Sequence, residues 1–351
     1  MLTMLNLIAA LAGPVAAADM PPGIPDPDKA ILDPAYSDPV FFWRVTSAPK
    51  NPYEPDAYFY WPDAHIPGAS APFLPMAKPG KTTIPAEALA DAEKWADERK
   101  SNALIIVHKG VVQLEKYWNG TRPDELVNGR AISRTVTPML LGFAVAEGKV
   151  SLEDPLSKFI PAWRDDPRGK ITVRQLAQNV AGLEVAQQKP PGTIFGNKDL
   201  CLAYCGDVVR AAMNYPLMTP PGTKFETAQE NMQLLAHVIE RAMGTPIQTL
   251  LSERVWKKIG ADDATFQMDR PGGVARTMCC MRATPRSWAR LGVLVEQKGK
   301  WQGKQILPEG WVDTMMKPRH VIPTSASACG WAARLSNTAP TSRASPAGCR
   351  S

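Results

Sequence analysis

Apolar residues recur with a helical period between residues 129 and 150. Ile132, Val136, Met139, Leu140, Phe143 and Ala144 share one stripe, and Leu141 and Val145 widen it. This predicts a single long buried helix. Glu147-Gly148-Lys149 ends it, with Gly148 suited to the left-handed cap. Pro138 falls inside the stripe, where it removes a hydrogen bond and costs roughly 3 kcal/mol, or kinks the helix. Upstream, residues 103–110 and 111–118 read as a hairpin turning near Lys109-Gly110. Residues 85–99 read as a helix with Pro85 in its first turn. Residues 161–210 are turn-rich with short helices. Residues 231–243 are amphipathic, with Leu234, Leu235, Val238, Ile239 and Ala242 on one face and Gly244 at the end. Thr245-Pro246 opens a further helix with Leu250, Leu251, Val255 and Ile259 inside.

The order of these pieces is more specific than any one of them. The hairpin and the apolar helix are followed by Leu152-Glu153-Asp154-Pro155-Leu156, then by residues 171–178 (ITVRQLAQ), then by Val180-Ala181-Gly182-Leu183. Residues 283–292 (ATPRSWARLG) and 301–311 (WQGKQILPEGW) come later. From about Ala103 to about Arg334 this series resembles the serine β-lactamases and penicillin-recognising hydrolases, nearest the branch of class C β-lactamases, esterases and 6-aminohexanoate-dimer hydrolases. The resemblance implies an α+β, DD-peptidase-like fold: an antiparallel sheet flanked by helices, plus a helical subdomain at about residues 147–231. It also implies acyl transfer to water from an amide, ester or β-lactam through a serine acyl-enzyme.

In that family the buried helix opens with S-x-x-K. Alignment through Thr135-Val136-Thr137 and Gly142 puts Ala131 at the nucleophile position and Arg134 at the lysine position. The spacing matters because residues i and i+3 share a helix face, so the amine reaches the hydroxyl. Ala131 has no nucleophilic atom. Arg134 keeps the charge but does not lose a proton at neutral pH. Residues 219–225 (TPPGTKF) resemble the approach to the family's P-G-x-x-F-x-Y motif, whose Tyr place is taken by Thr227. Asn231 falls at the family's polar position; it either hydrogen-bonds a substrate amide or caps the next helix. Cys329-Gly330-Trp331-Ala332-Ala333-Arg334 resembles the start of the strand pair that carries the third motif. That motif itself, K-T-G or a variant, has no counterpart in the polar stretch from Ser336 onward, and the composition shift at Leu335 reads as a truncation or frame change; a natural tail is the alternative.

Other hydroxyls and acids fit less well. Ser133 is two residues from the nucleophile position and so rotated by about 200° around the helix. His237 sits on an amphipathic helix, where a lone His is usually structural. Glu226 and Glu230 flank Thr227 but suggest no mechanism without a nucleophile or metal.

Composition adds compartment and size. The 351 residues carry a net charge of +6 and 44% hydrophobic content, enough for one large domain or two subdomains. The positive excess is scattered, which gives no support to nucleic-acid binding. Residues 1–18 read as a secretory signal, with Ala16-Ala17-Ala18 before the cut; a hydrophobic tail is the alternative. The mature chain is then secreted or periplasmic, with no stable membrane insertion once the signal is cleaved. Residues 19–84 form a Pro- and aromatic-rich extension that lies over the domain through its rings, residues 85–335 the β-lactamase-related domain, and residues 336–351 a disordered tail. Of six cysteines, Cys201 and Cys205 can bridge locally, whereas adjacent Cys279-Cys280 do not pair easily. No His lies beside a Cys at ligand spacing, so neither a metal nor a cofactor is expected. The leading expectation is a catalytically defective family member. The alternatives are an active hydrolase with rearranged residues, or a secreted protein that binds a small-molecule amide, ester or peptide ligand, such as a cell-wall fragment.

Overall fold

The computed structural model describes Phe41, Trp43, Arg44, residues 61–185 and residues 198–317. The apolar leader, most of the extension, Cys329, Cys349, the expected third-motif strand and the polar tail lie outside these residues.

Three antiparallel sheets are present among the described residues. Strands β1 (Asp63–Ile66), β4 (Val127–Asn128), β5 (Ala264–Gln267) and β6 (Met281–Ala283) form a four-stranded sheet in the order β1-β5-β6-β4. Strands β2 (Ala103–His108) and β3 (Val111–Tyr117) form the expected hairpin. Its two-residue turn places Lys109 and Gly110 both at positive φ, as a right-twisted hairpin demands. A short pair, β7 (Lys300–Trp301) with β8 (Lys304–Gln305), completes the strands.

Helices cover the sheets: α1 (Ala86–Glu98), α2 (Val136–Ala146), α3 (Val173–Ala177), α4 (Lys198–Tyr204), α5 (Val208–Met213), α6 (Gln229–Met243), α7 (Ile247–Leu251), α8 (Pro285–Glu296) and α9 (Trp311–Met316). The centre of the core is α2 against α6. Met139, Leu140, Leu141 and Ala144 of α2 are buried there with Leu234, Leu235, Val238 and Ile239 of α6. α8 packs on β2, and Arg286 of α8 bonds twice to Glu115 of β3, at 2.7 and 3.2 Å.

Several expectations are corrected. The apolar stripe at 129–150 is two elements, a 3₁₀ turn over Arg130–Thr135 and then α2. Pro138 accounts for the break: it has no N–H for the Arg134 carbonyl and its ring crowds that carbonyl, so α geometry starts only at Val136. Pro138 therefore stands in the first turn of α2, where its missing N–H is one of the unpaired donors anyway, and the expected mid-helix cost does not arise. Ile132, expected in the buried stripe, is 50% exposed because the 3₁₀ turn shifts its direction. The helix expected from Asn231 begins at Gln229, with Ala228 as N-cap and no side-chain cap, so Asn231 is not a cap. The adjacent Cys279 and Cys280 are joined in a disulfide, as are Cys201 and Cys205. Of the extension, Phe41 and Arg44 lie inside the core rather than over it.

Candidate functional site

The turn that carries Ala131 and Arg134 is built from both ends. β4 pairs with β6, and directly after it the Gly129 N–H donates to the Met281 carbonyl at 2.9 Å. A Cβ on Gly129 would fall 2.3 Å from the Trp288 ring, so only glycine fits this close approach. The Asn128 side-chain oxygen accepts from the Arg130 N–H at 2.7 Å and sets the 3₁₀ turn going. At the other end, α2 is locked to α9. The Trp311 indole donates to the Pro138 carbonyl at 2.9 Å, and its ring lies where a Cβ on Gly142 would stand.

Residues 278–281 clasp the turn along its length. The fully buried Ser133 hydroxyl donates to the Cys279 carbonyl at 2.8 Å and accepts from the Met281 N–H at 3.3 Å. Arg134 Nε donates to the Met278 carbonyl at 2.7 Å. The Ser133 hydroxyl thus ties the turn to this segment and is closed off from solvent.

The second region is the loop that leads into α6. Asn179, in the left-handed conformation, takes the Glu226 N–H on its carbonyl at 3.0 Å. Its side-chain oxygen faces the Ala228 N–H and the Asn231 Nδ2, each at 3.4 Å. Gly182 accepts from the N–H groups of Met218 and Thr219. These bonds fix the loop before α6. Thr227 is exposed, and its hydroxyl bonds to no described residue. Asn231 is only 2% exposed, with its Oδ1 closed off from solvent.

The structure therefore distributes the four sequence-derived site residues unevenly. Ala131 and Thr227 are exposed, Arg134 is half-buried and Asn231 is buried. Among the described residues no hydrogen bond or ion pair joins Ala131 to Thr227 or Asn231. What links the two regions is electrostatic: the buried Glu230 on the first turn of α6 acts on Arg134. Burial pulls the Arg134 guanidinium below its usual range and the Glu230 charge works the other way, so it stays a cation. Sequence reasoning weighed Glu230 and Ser133 without assigning either this placement. Their partners lie far off in the chain, and no local signal marks them.

His237 lies on α6 away from this turn; burial first, then Arg241, hold its pKa below the ordinary histidine value against the pull of Asp207. A groove of about 510 Å³ runs beside Arg168, lined by Asp166, Met213 and Leu217, and none of the four site residues borders it. No cluster of three His, Cys, Asp or Glu fit for a metal is present among the described residues. No helix among them is long and apolar enough to cross a membrane.

Known proteins give this architecture its family. The model of the Beta-lactamase family matches residues 87–332, more than half of the chain. The chain belongs to the beta-lactamase family. Among curated relatives, a 6-aminohexanoate-dimer hydrolase of Paenarthrobacter ureafaciens is 24% identical over 267 residues, 72% of this chain and 67% of that protein. A Beta-lactamase of Pseudomonas fluorescens is 26% identical over 133 residues, 37% of this chain and 34% of that protein. The second match therefore spans about a third of that relative's length. A solved Bacillus anthracis protein, provisionally named a 6-aminohexanoate-dimer hydrolase, superposes with a TM-score of 0.63 at 21% identity, covering 77% of this chain and 76% of that one. A penicillin binding protein from Bacillus halodurans superposes at 0.50 with 17% identity over 66% of this chain and 80% of that one. Both show the same fold. The family is that of serine hydrolases, and the α+β expectation, with antiparallel strands and flanking helices, holds.

Proposed function

We propose that this chain is a β-lactamase-family protein that does not form the serine acyl-enzyme and instead binds a small amide, ester or peptide ligand reversibly. The observation that carries this reading is the clasped turn. Ala131 presents a methyl group where the family pattern has its serine, and Arg134, in the lysine position, is tied through Nε to the Met278 carbonyl. A guanidinium does not take up a proton in acyl transfer. Thr227, at the tyrosine position, offers an aliphatic hydroxyl of no comparable acidity. The names of these relatives, a 6-aminohexanoate-dimer hydrolase and a Beta-lactamase, support a small carbonyl compound as the ligand. Asn231 belongs to the ligand's surroundings in this reading, and its burial means that a ligand reaches it only after the Asn179 loop shifts.

The reading extends to place and layout. Residues 1–18 serve as an export signal, the mature protein starts near Asp19 in the periplasm or outside the cell, and residues 147–231 form the helical subdomain above the turn. Incubation with a fluorescent penicillin and with a fluorophosphonate, followed by intact-mass measurement, tests the central point. No covalent adduct is expected with either reagent. A stoichiometric adduct would establish an active nucleophile and end this reading. Mass spectrometry of exported protein tests the start: a chain retaining residues 1–18 would count against the signal.

A further inference from the structure

We infer that Arg134 is the receptor for a carboxylate of the ligand. This rests on the non-covalent reading above and names the chemistry of what is bound.

The guanidinium is aimed before any ligand arrives. Its Nε is engaged with the Met278 carbonyl at 2.7 Å, and the backbone of its turn is fixed by the two Ser133 bonds and by Gly129 to Met281. The fork of Nη1 and Nη2 makes no hydrogen bond or ion pair to any described residue, and Arg134 is only half-buried. A planar fork held at one nitrogen and open at the others matches the two oxygens of a carboxylate. Less rotamer freedom is lost when it binds, because the side chain is already ordered.

The surroundings favour the same ligand. Ala131, one 3₁₀ turn before Arg134, is exposed and presents only a methyl. Ile132 is 50% exposed beside it, an apolar surface for an acyl or side-chain group. The buried Glu230 acts on Arg134 through its charge and favours the charged guanidinium. A lysine at 134 would offer a point charge in place of the fork, so the arginine favours anion recognition over proton transfer.

The test uses the full chain and two probes that differ in one group, N-benzoylglycine and N-benzoylglycinamide, followed by isothermal titration calorimetry. Saturable binding of the acid is expected, with the amide weaker by about tenfold or more, as for loss of a charge-assisted pair. Arg134→Gln should lose the acid by a similar factor, and Arg134→Lys should retain part of the affinity. Near-ultraviolet circular dichroism checks that both variants fold. Should Arg134→Gln not fold, the acid-to-amide ratio in the parent and in Arg134→Lys decides. Equal binding of acid and amide, binding of neither, or undiminished binding by folded Arg134→Gln would overturn the inference. Covalent labelling by penicillin is scored separately by intact mass. An adduct defeats the non-covalent reading whatever the calorimetry shows, and no adduct with no acid binding defeats only the carboxylate assignment.

Discussion

An alanine methyl at position 131 has no lone pair to attack a carbonyl, and putting a hydroxyl there would still leave it without a base. Arg134 remains protonated and Thr227 remains a weak acid. Residues that act as a unit lose function together, so Ala131→Ser alone should leave turnover of nitrocefin and of a p-nitrophenyl ester at the parent's background. Hydrolysis clearly above the parent would contradict this. A second single-residue effect lies at Glu240 on α6. Burial raises its pKa from 4.5 to about 6, a nearby Asp269 adds to this, and the Ile247 N–H at 2.9 Å opposes it. Because the folded carboxyl holds its proton more tightly than the unfolded one, stability from this group is present below about pH 4.5 and is lost as pH rises through about 6. Glu240→Gln keeps an acceptor for the Ile247 N–H and removes the buried charge. It should be more stable than the parent by about 1–2 kcal/mol at pH 7.5, with the gap closing below pH 5, in urea unfolding followed across pH. The alanine at 131 and the arginine at 134 could be set against the family pattern from the sequence, because that pattern depends on spacing within one turn. The role of Ser133 could not be read there, because its partner Cys279 lies 146 residues away.

Elements with a chemical start signal were the most legible. Pro85 stands as N-cap of α1 and Pro246 as N-cap of α7, where helices were read over residues 85–99 and from Thr245-Pro246. α6 has no capping side chain, and its start was misplaced by two residues accordingly. The stripe at 129–150 misled because its apolar period continues through a change of helix type, which Pro138 forces and periodicity does not register. The same segment shows how tightly α2 is held. A methyl at Gly142 would stand 2.5 Å from the Trp311 ring, and that ring is pinned by its bond to the Pro138 carbonyl. Gly142 also lies on a helix, where alanine is otherwise the better helix former by about 1 kcal/mol. Overpacking against a fixed indole outweighs that gain, so Gly142→Ala should lose about 1–3 kcal/mol and shift tryptophan emission as Trp311 is displaced. A variant as stable as the parent in thermal unfolding would show that α9 yields freely and that the turn is not braced from that end.

At the scale of the molecule, the family architecture was legible from the order of weak motifs, while the device that ties the extension to the domain was not. Arg44 comes from a Pro- and aromatic-rich stretch with no periodicity, and the expectation there was of rings lying on a surface. Instead its guanidinium is fully buried and donates to the carbonyls of Met268 and Asp269, each at 2.8 Å, of Tyr204 at 3.1 Å and of Trp61 at 3.4 Å. Arg276, also fully buried, donates to the carbonyls of Leu202 at 2.7 Å and of Cys205. Two cations thus satisfy the carbonyls at the C-terminal end of α4, where a helix leaves acceptors open and favours positive charge. Asp269 balances them from inside, with its carboxylate bonded to the N–H groups of Val208 and Val274. Arg44 therefore joins three parts of the chain that are distant in sequence: the extension, α4, and the loop after β5. Replacing it by alanine would leave several buried carbonyls without donors and a void of side-chain size. Hydrogen bonds to a charged group contribute about 1.5–3 kcal/mol each, and an unsatisfied buried acceptor costs about as much as the bond it loses. Arg44→Ala should therefore lose about 3 kcal/mol or more, a large share of the roughly 5–15 kcal/mol that holds a domain together. Arg44→Lys should recover little of it, since one ammonium does not span four carbonyls in the plane of a fork. Chemical denaturation of the parent and both variants measures this. A loss below 1 kcal/mol for Arg44→Ala would mean that the extension merely rests on the domain and that α4 is held by Arg276 alone.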